Sequence, residues 1–134
     1  MKFLLVIFFS LLFFSCSEKS TEWKVEWGKH ENDFKKVVNL MNANRLKLNL
    51  AGTSYIIPDT IDLKYPCEQK VLKLDDQNME TSNSYLFFLD TAQRSSRKNP
   101  VLVYTTNSRR QEFYEKDFKD NVVKIETNWY FLYN

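Results

Sequence analysis

His30 is the chain's one histidine and the natural general base of any acid–base mechanism, with Glu31 and Asp33 as neighbouring carboxylates. On a helix Glu31 points about 100° away from it, leaving Asp33 as the only carboxylate at a facing distance. Both acids read more simply as complements of a helix N-terminal dipole. Asp75-Asp76, with Glu80 beyond, offers carboxylates for glycoside hydrolysis or a calcium loop. The stretch lacks the glycine a calcium loop needs at its sharp turn, and a glycosidase pair is defined by separation in space, so a solvated turn is the simpler reading. Cys67 follows Pro66 with no histidine near it in sequence to lower its pKa, and reads as a small apolar filler. Gly52-Thr53-Ser54-Tyr55-Ile56 lacks the second glycine of a nucleophile elbow.

Two glycines, Gly28 and Gly52, stand far apart, which excludes the clustered glycines of a Walker loop or dinucleotide fingerprint. One histidine likewise excludes a two-histidine metal helix and the standard zinc-hydrolase patterns. Neither a metal nor another cofactor is expected. The least even feature is charge: Arg94, Arg97, Lys98, Arg109 and Arg110 fall between Thr91 and Gln111 with no acid among them. A strand between the two groups would set them about 20 Å apart, at opposite ends of a sheet. They are candidate partner-binding residues, although a solvated face is the plainer reading. Tyr130 joins them, because alternation sets Tyr130 and Leu132 on the polar face of Lys124 and Glu126, opposite Trp129, Phe131 and Tyr133, although core or edge packing is the plainer reading.

The positioning elements follow from periodicity. Phe34, Val37, Val38, Leu40 and Met41 recur at helical spacing between Asn32 and Asn44. Trp23, Trp27, His30 and Phe34 extend that register back to about Thr21, while Trp23, Val25 and Trp27 also alternate as a strand would; the unbroken register favours the helix. After Asn44 the period becomes two, and Leu46, Leu48 and Leu50 predict an amphipathic strand. Further strands are expected at Ser54–Ile57, Ile61–Tyr65, Lys70–Leu74, Ser84–Leu89 and Val101–Thr106, with Ser84–Leu89 central because it is apolar on both faces. Asp75–Ser84 and Asp90–Pro100 read as loops, the second a long hairpin connection, and Gln111–Lys119 as a short helix bearing Phe113, Tyr114 and Phe118. Val123 to Tyr133 reads as one or two terminal strands turning at Thr127-Asn128. The expectation is a single α+β domain over 22–134, an N-terminal amphipathic helix packed on an antiparallel sheet of about six strands.

The N-terminus carries an address. Met1-Lys2 supplies a positive start, Phe3–Phe14 is apolar but for Ser10, and Ser15-Cys16 closes the run. Twelve residues rise about 18 Å as a helix, short of the roughly 30 Å hydrocarbon core, so the run reads as a signal h-region and not a span. This segment resembles the signal of bacterial lipoproteins, in which a small residue precedes a cysteine that is lipidated and becomes the first residue. The resemblance implies a signal peptide over 1–15, lipid attachment at Cys16 and a polar tether over 16–21. It also implies a membrane-held protein of the cell envelope, and Ser17 after the cysteine points to the outer membrane, on its periplasmic or outward face. Lipidation would leave Cys67 as the only thiol, and loss of Lys2 would take the net charge from +2 to +1, too little for strong electrostatic steering.

With 134 residues, 43% of them hydrophobic and 27% charged, the chain can build a core without disulfides or metal. The function expected is a non-catalytic binding or structural module with a protein partner in the envelope, inhibitor and immunity roles included, and with no nucleic acid. The competing expectations are an enzyme in which His30, Cys67 or Asp75-Asp76 converge on a pocket, and a carrier of a small apolar ligand between helix and sheet.

Overall fold

A computed structural model describes residues 18–63, 67–76, 81–89 and 101–133, with side chains from Trp27 onward. The signal, Cys16, Tyr65, Glu80, Arg94, Arg97 and Lys98 lie outside the described residues. Helix α1 (Glu18–Asn42) includes Trp23–Trp27, so the heptad-like register prevails over the competing alternation. The chain divides within α1: the helix up to Glu31 belongs to one compact unit and Asn32–Asn134 forms another. α1 is closed off just past its last residue by Asn44, which takes φ 54°. The amide of Arg45 donates to the Leu40 carbonyl at 2.9 Å and that of Asn44 to Met41 at 3.1 Å, the paired bonds of a left-handed helix cap.

Strands β1 (Lys47–Leu48), β2 (Tyr55–Ile56), β3 (Cys67–Lys73), β4 (Ser84–Leu89) and β5 (Val101–Thr105) follow. Then come α2 (Ser108–Glu112), a π-helical turn (Phe113–Asp117), a short 3₁₀ turn (Lys119–Asn121), β6 (Val122–Glu126) and β7 (Trp129–Leu132). The fold is α+β: the strands make one seven-stranded sheet in the order β1-β2-β3-β4-β5-β7-β6, every neighbouring pair antiparallel. β4 is central with β5 beside it, as its two-sided apolar pattern requires. β6 and β7 turn at Thr127-Asn128, where Asn128 supplies φ 70°.

Register sorts the side chains. Val71, Phe87, Leu102 and Phe131 lie in one row across β3, β4, β5 and β7 and are buried. The α1 residues Phe34, Val37, Val38 and Met41 are buried, and the Phe34 ring meets Phe87 edge-on at 5.1 Å and Trp129 at 6.2 Å. At the same layer Lys35 pairs with Glu126 at 2.8 Å, and the Tyr85 hydroxyl donates to Asn42 Oδ1 at 2.5 Å. On the opposite face Leu86, Val103 and Tyr130 are aligned, and Tyr114 from the π-helical turn packs on Val103 and Tyr130.

Three expectations are corrected. Leu46, Leu48 and Leu50 do not form a buried strand face: β1 is two residues long and outermost, with a neighbour on one side only, and Leu48 and Leu50 are exposed. Ile61 and Leu63 are buried but not in a strand. The Gln69 side chain takes the place of a ladder, donating to the Ile61 carbonyl at 2.9 Å and accepting from the Leu63 amide at 2.8 Å. Tyr130, a candidate exposed recognition aromatic, is instead packed with no exposed area, because the segment from Ser108 to Asn121 roofs a face that alternation alone marks as polar.

Candidate functional site

The densest polar grouping in the described residues surrounds Asp76, just after β3. Its Oδ1 accepts from Arg110 Nε at 2.6 Å, and its Oδ2 accepts from Ser84 Oγ at 2.7 Å and Ser82 Oγ at 3.2 Å. Arg110 also donates through Nη2 to the Asp75 carbonyl at 2.9 Å. The network extends inward: Ser84 Oγ shares a hydrogen bond with Thr105 Oγ1 at 2.7 Å, and Thr105 Oγ1 accepts from the Asn107 amide at 3.0 Å. Asn107 caps α2, its Oδ1 accepting from the amides of Arg109 at 2.9 Å and Arg110 at 3.3 Å. The cap therefore aims Arg110 at Asp76. Burial pushes the Asp76 carboxyl up, but hydrogen bonds from Arg110, Ser84 and Asn107, with the Arg110 charge, outweigh it and hold the group below the ordinary carboxylate range. The Asp76 side chain keeps only 5% of its surface exposed, so the solvated-turn reading does not hold for it.

Such a group has little left for chemistry. Its oxygens are occupied by fixed donors, and no trio of His, Cys, Asp or Glu among the described residues is arranged to hold a metal. Cys67 is fully buried, and its thiol donates to the Glu68 carbonyl at 3.0 Å. His30 is half-buried in α1, in a different compact unit from Cys67 and Asp76. Of the expected partner-binding residues, Arg109 is exposed, Arg110 is committed to Asp76, and Tyr130 is buried with its hydroxyl donating to Glu115 at 2.8 Å.

The feature that periodicity misassigned is the β1–β2 hairpin. Among the described residues, three of the five exposed large apolar side chains, Leu48, Leu50 and Ile56, belong to it. Its loop is held by Asn49, whose Oδ1 accepts from the amides of Thr53 at 2.9 Å and Ser54 at 3.3 Å. Asn49 Nδ2 donates to Ser54 Oγ at 3.0 Å and Thr53 Oγ1 at 3.1 Å, and Gly52 takes φ 69° to close the turn. Leu50 stands outside this frame, fully exposed at 111% of its reference area. Beside the hairpin, Leu48 and Tyr55 form one wall of an open cleft of about 500 Å³, with Lys73, Asp75 and Asn83 on the other sides.

No protein-family model, curated protein or solved structure matches the chain. The site must be read from its own geometry. The signal that could have found the hairpin is in the sequence: no acidic residue occurs between Asp33 and Asp59, whereas Arg45 and Lys47 precede Leu48 and Leu50.

Proposed function

We propose that the chain is a lipid-anchored protein of the bacterial cell envelope that binds a partner and carries out no chemistry of its own. The observation that carries this reading is the order of residues at the N-terminus: Lys2, the apolar run Phe3–Phe14, then Ser15-Cys16 ahead of the polar stretch Ser17–Thr21. Several acyl chains on Cys16 would each contribute about 0.8 kcal/mol per buried methylene, enough for an effectively permanent anchor. Ser17 after the cysteine favours the outer membrane as the destination.

Two structural features support binding over catalysis. The nearly enclosed carboxylate of Asp76 is saturated by Arg110, Ser82 and Ser84, and serves to fix α2 against the end of β3. The thiol of Cys67 is sealed inside the sheet layer, out of reach of a substrate. The interior next to α1 is filled by the Phe34, Phe87 and Trp129 rings in direct contact, which weighs against a carrier cavity there. The basic residues Arg94, Arg97, Lys98 and Arg109 remain the residues proposed to meet a protein partner.

Crosslinking the anchored protein in its native cells, followed by mass spectrometry, tests the binding role. One envelope or secreted protein recovered in stoichiometric amount, and lost in an Arg94→Ala/Arg97→Ala/Arg109→Ala variant, is the expected result. Recovery of no protein under conditions that capture a control complex contradicts it.

A further inference from the structure

We propose that the β1–β2 hairpin, residues 45–57, is a membrane-penetrating tip that inserts Leu50, flanked by Leu48 and Ile56, into the surface of an anionic bilayer. The hairpin presents its side chains in an order that suits a lipid surface. Leu50 is at the tip, the pair Leu48–Tyr55 comes next, and the pair Lys47–Ile56 follows, with Arg45 behind. At no more than about 3.3 Å per residue, Lys47 sits at most roughly 10 Å behind Leu50. That matches the 5–10 Å to which interfacial elements sink, and leaves the ammonium of Lys47 among the headgroups when Leu50 reaches the acyl chains.

Charge selects the same partner. Arg45 and Lys47 are both exposed, and among the described residues neither has an ion-pair partner. Residues 45–57 contain no acid, so the hairpin's own charge is basic and complements anionic headgroups; the neighbouring acids Asp59 and Asp75 lie at its base and in the cleft beside it, behind the apolar tip. Rigidity completes the case. The Asn49 bonds to Thr53 and Ser54 hold the loop without any contribution from Leu50, so the side chain is displayed and not merely unfolded outward. A preformed convex apolar tip loses little conformational entropy on insertion. A protein partner would instead require a concave counterpart.

The inference rests on the proposed lipid anchor for the nearness of a membrane, and its test separates the two. The full, acylated chain carrying Leu50→Cys is labelled with an environment-sensitive maleimide dye and reconstituted into vesicles of phosphatidylcholine and phosphatidylglycerol. Cys67 is buried and an acylated Cys16 has no free thiol, so the parent chain is the blank, and any dye it takes up is subtracted as label on unacylated Cys16. The comparison variant is Lys119→Cys, exposed in the 3₁₀ turn before the opposite edge strand β6. Both positions are at the surface, so neither label disturbs the core. The label at position 50 should be quenched by spin-labelled lipids and be several-fold less accessible to aqueous iodide than the label at position 119. Arg45→Gln/Lys47→Gln should reduce that protection. A label at position 50 as open to iodide as the one at 119 overturns the proposal and leaves the hairpin to a protein partner. The acyl mass on Cys16 is read from the same preparation. Acylation with a water-exposed position 50 removes the tip and keeps the anchor; protection of position 50 without acylation removes the anchor and keeps the tip.

Discussion

Arg110 Nε lies 2.6 Å from Asp76 Oδ1, joining the first helical turn after β5 to the chain leaving β3 across 34 residues of sequence. The Asp76 side chain is nearly enclosed and the guanidinium about one-third exposed, so the pair is a partly desolvated, hydrogen-bonded one and not a surface contact. Removing its cation leaves a carboxylate that still needs donors. Arg110→Ala should therefore destabilise the fold by about 1.5–3 kcal/mol, read by urea denaturation. The carboxyl of Asp76 is depressed in the folded state relative to its ordinary value of 3.8. Its stabilising contribution is then present above about pH 4 and is lost as pH falls through the lower folded value. Asp76→Asn should flatten stability against pH below about pH 4, and an unchanged acid limb would show that Asp76 is not the titrating group.

Tyr85 supplies the alkaline counterpart. Burial, with the neighbouring Tyr104 and Tyr55, pushes its phenol from 10.0 up to about 12. The folded state disfavours the phenolate, so stability is intact below pH 10 and declines as pH rises from there toward about 12. Tyr85→Phe should lessen that decline without abolishing it, because burial also raises Tyr104 and Tyr114. Spectrophotometric titration of the wild type and the variant gives the comparison: loss of one high-pH phenol from the titration curve is expected.

Core and surface aromatics should separate in a stability series. Phe34 is buried against Phe87 and Trp129, so Phe34→Ala should cost about 3–5 kcal/mol. Phe88 is only half-buried, with the Lys70 ammonium 5.4 Å from its ring centroid, and Phe88→Ala should cost less. Equal losses at the two positions would mean that the second face of the sheet is covered as fully as the first.

Most of this architecture was legible in periodicity because α1 and the central strands obey one period each. Phe34, Val37, Val38 and Met41 announce their helix, and Leu86-Phe87-Phe88-Leu89 announces a strand covered on both sides. Alternation placed Trp129 and Phe131 correctly and Tyr130 wrongly, for one reason: it sorts residues by face but does not say whether a later segment roofs the second face. Leu46, Leu48 and Leu50 failed in the opposite sense. Their period was right for a strand, but the outermost position in the sheet depends on pairing, which a local pattern does not encode. The Asp76–Arg110 pair was invisible because its members meet only through the β3–β4–β5 register, although Arg110 and Asp76 were each conspicuous alone.

The most direct measurement is metabolic labelling with a fatty acid followed by mass determination of the N-terminal peptide, for the wild type and Cys16→Ala. A lipid-anchored envelope protein predicts a mature chain beginning at Cys16 with its acyl mass, and a Cys16→Ala chain that is unlabelled and unprocessed. A wild-type chain cut elsewhere, or carrying no lipid on Cys16, would contradict it.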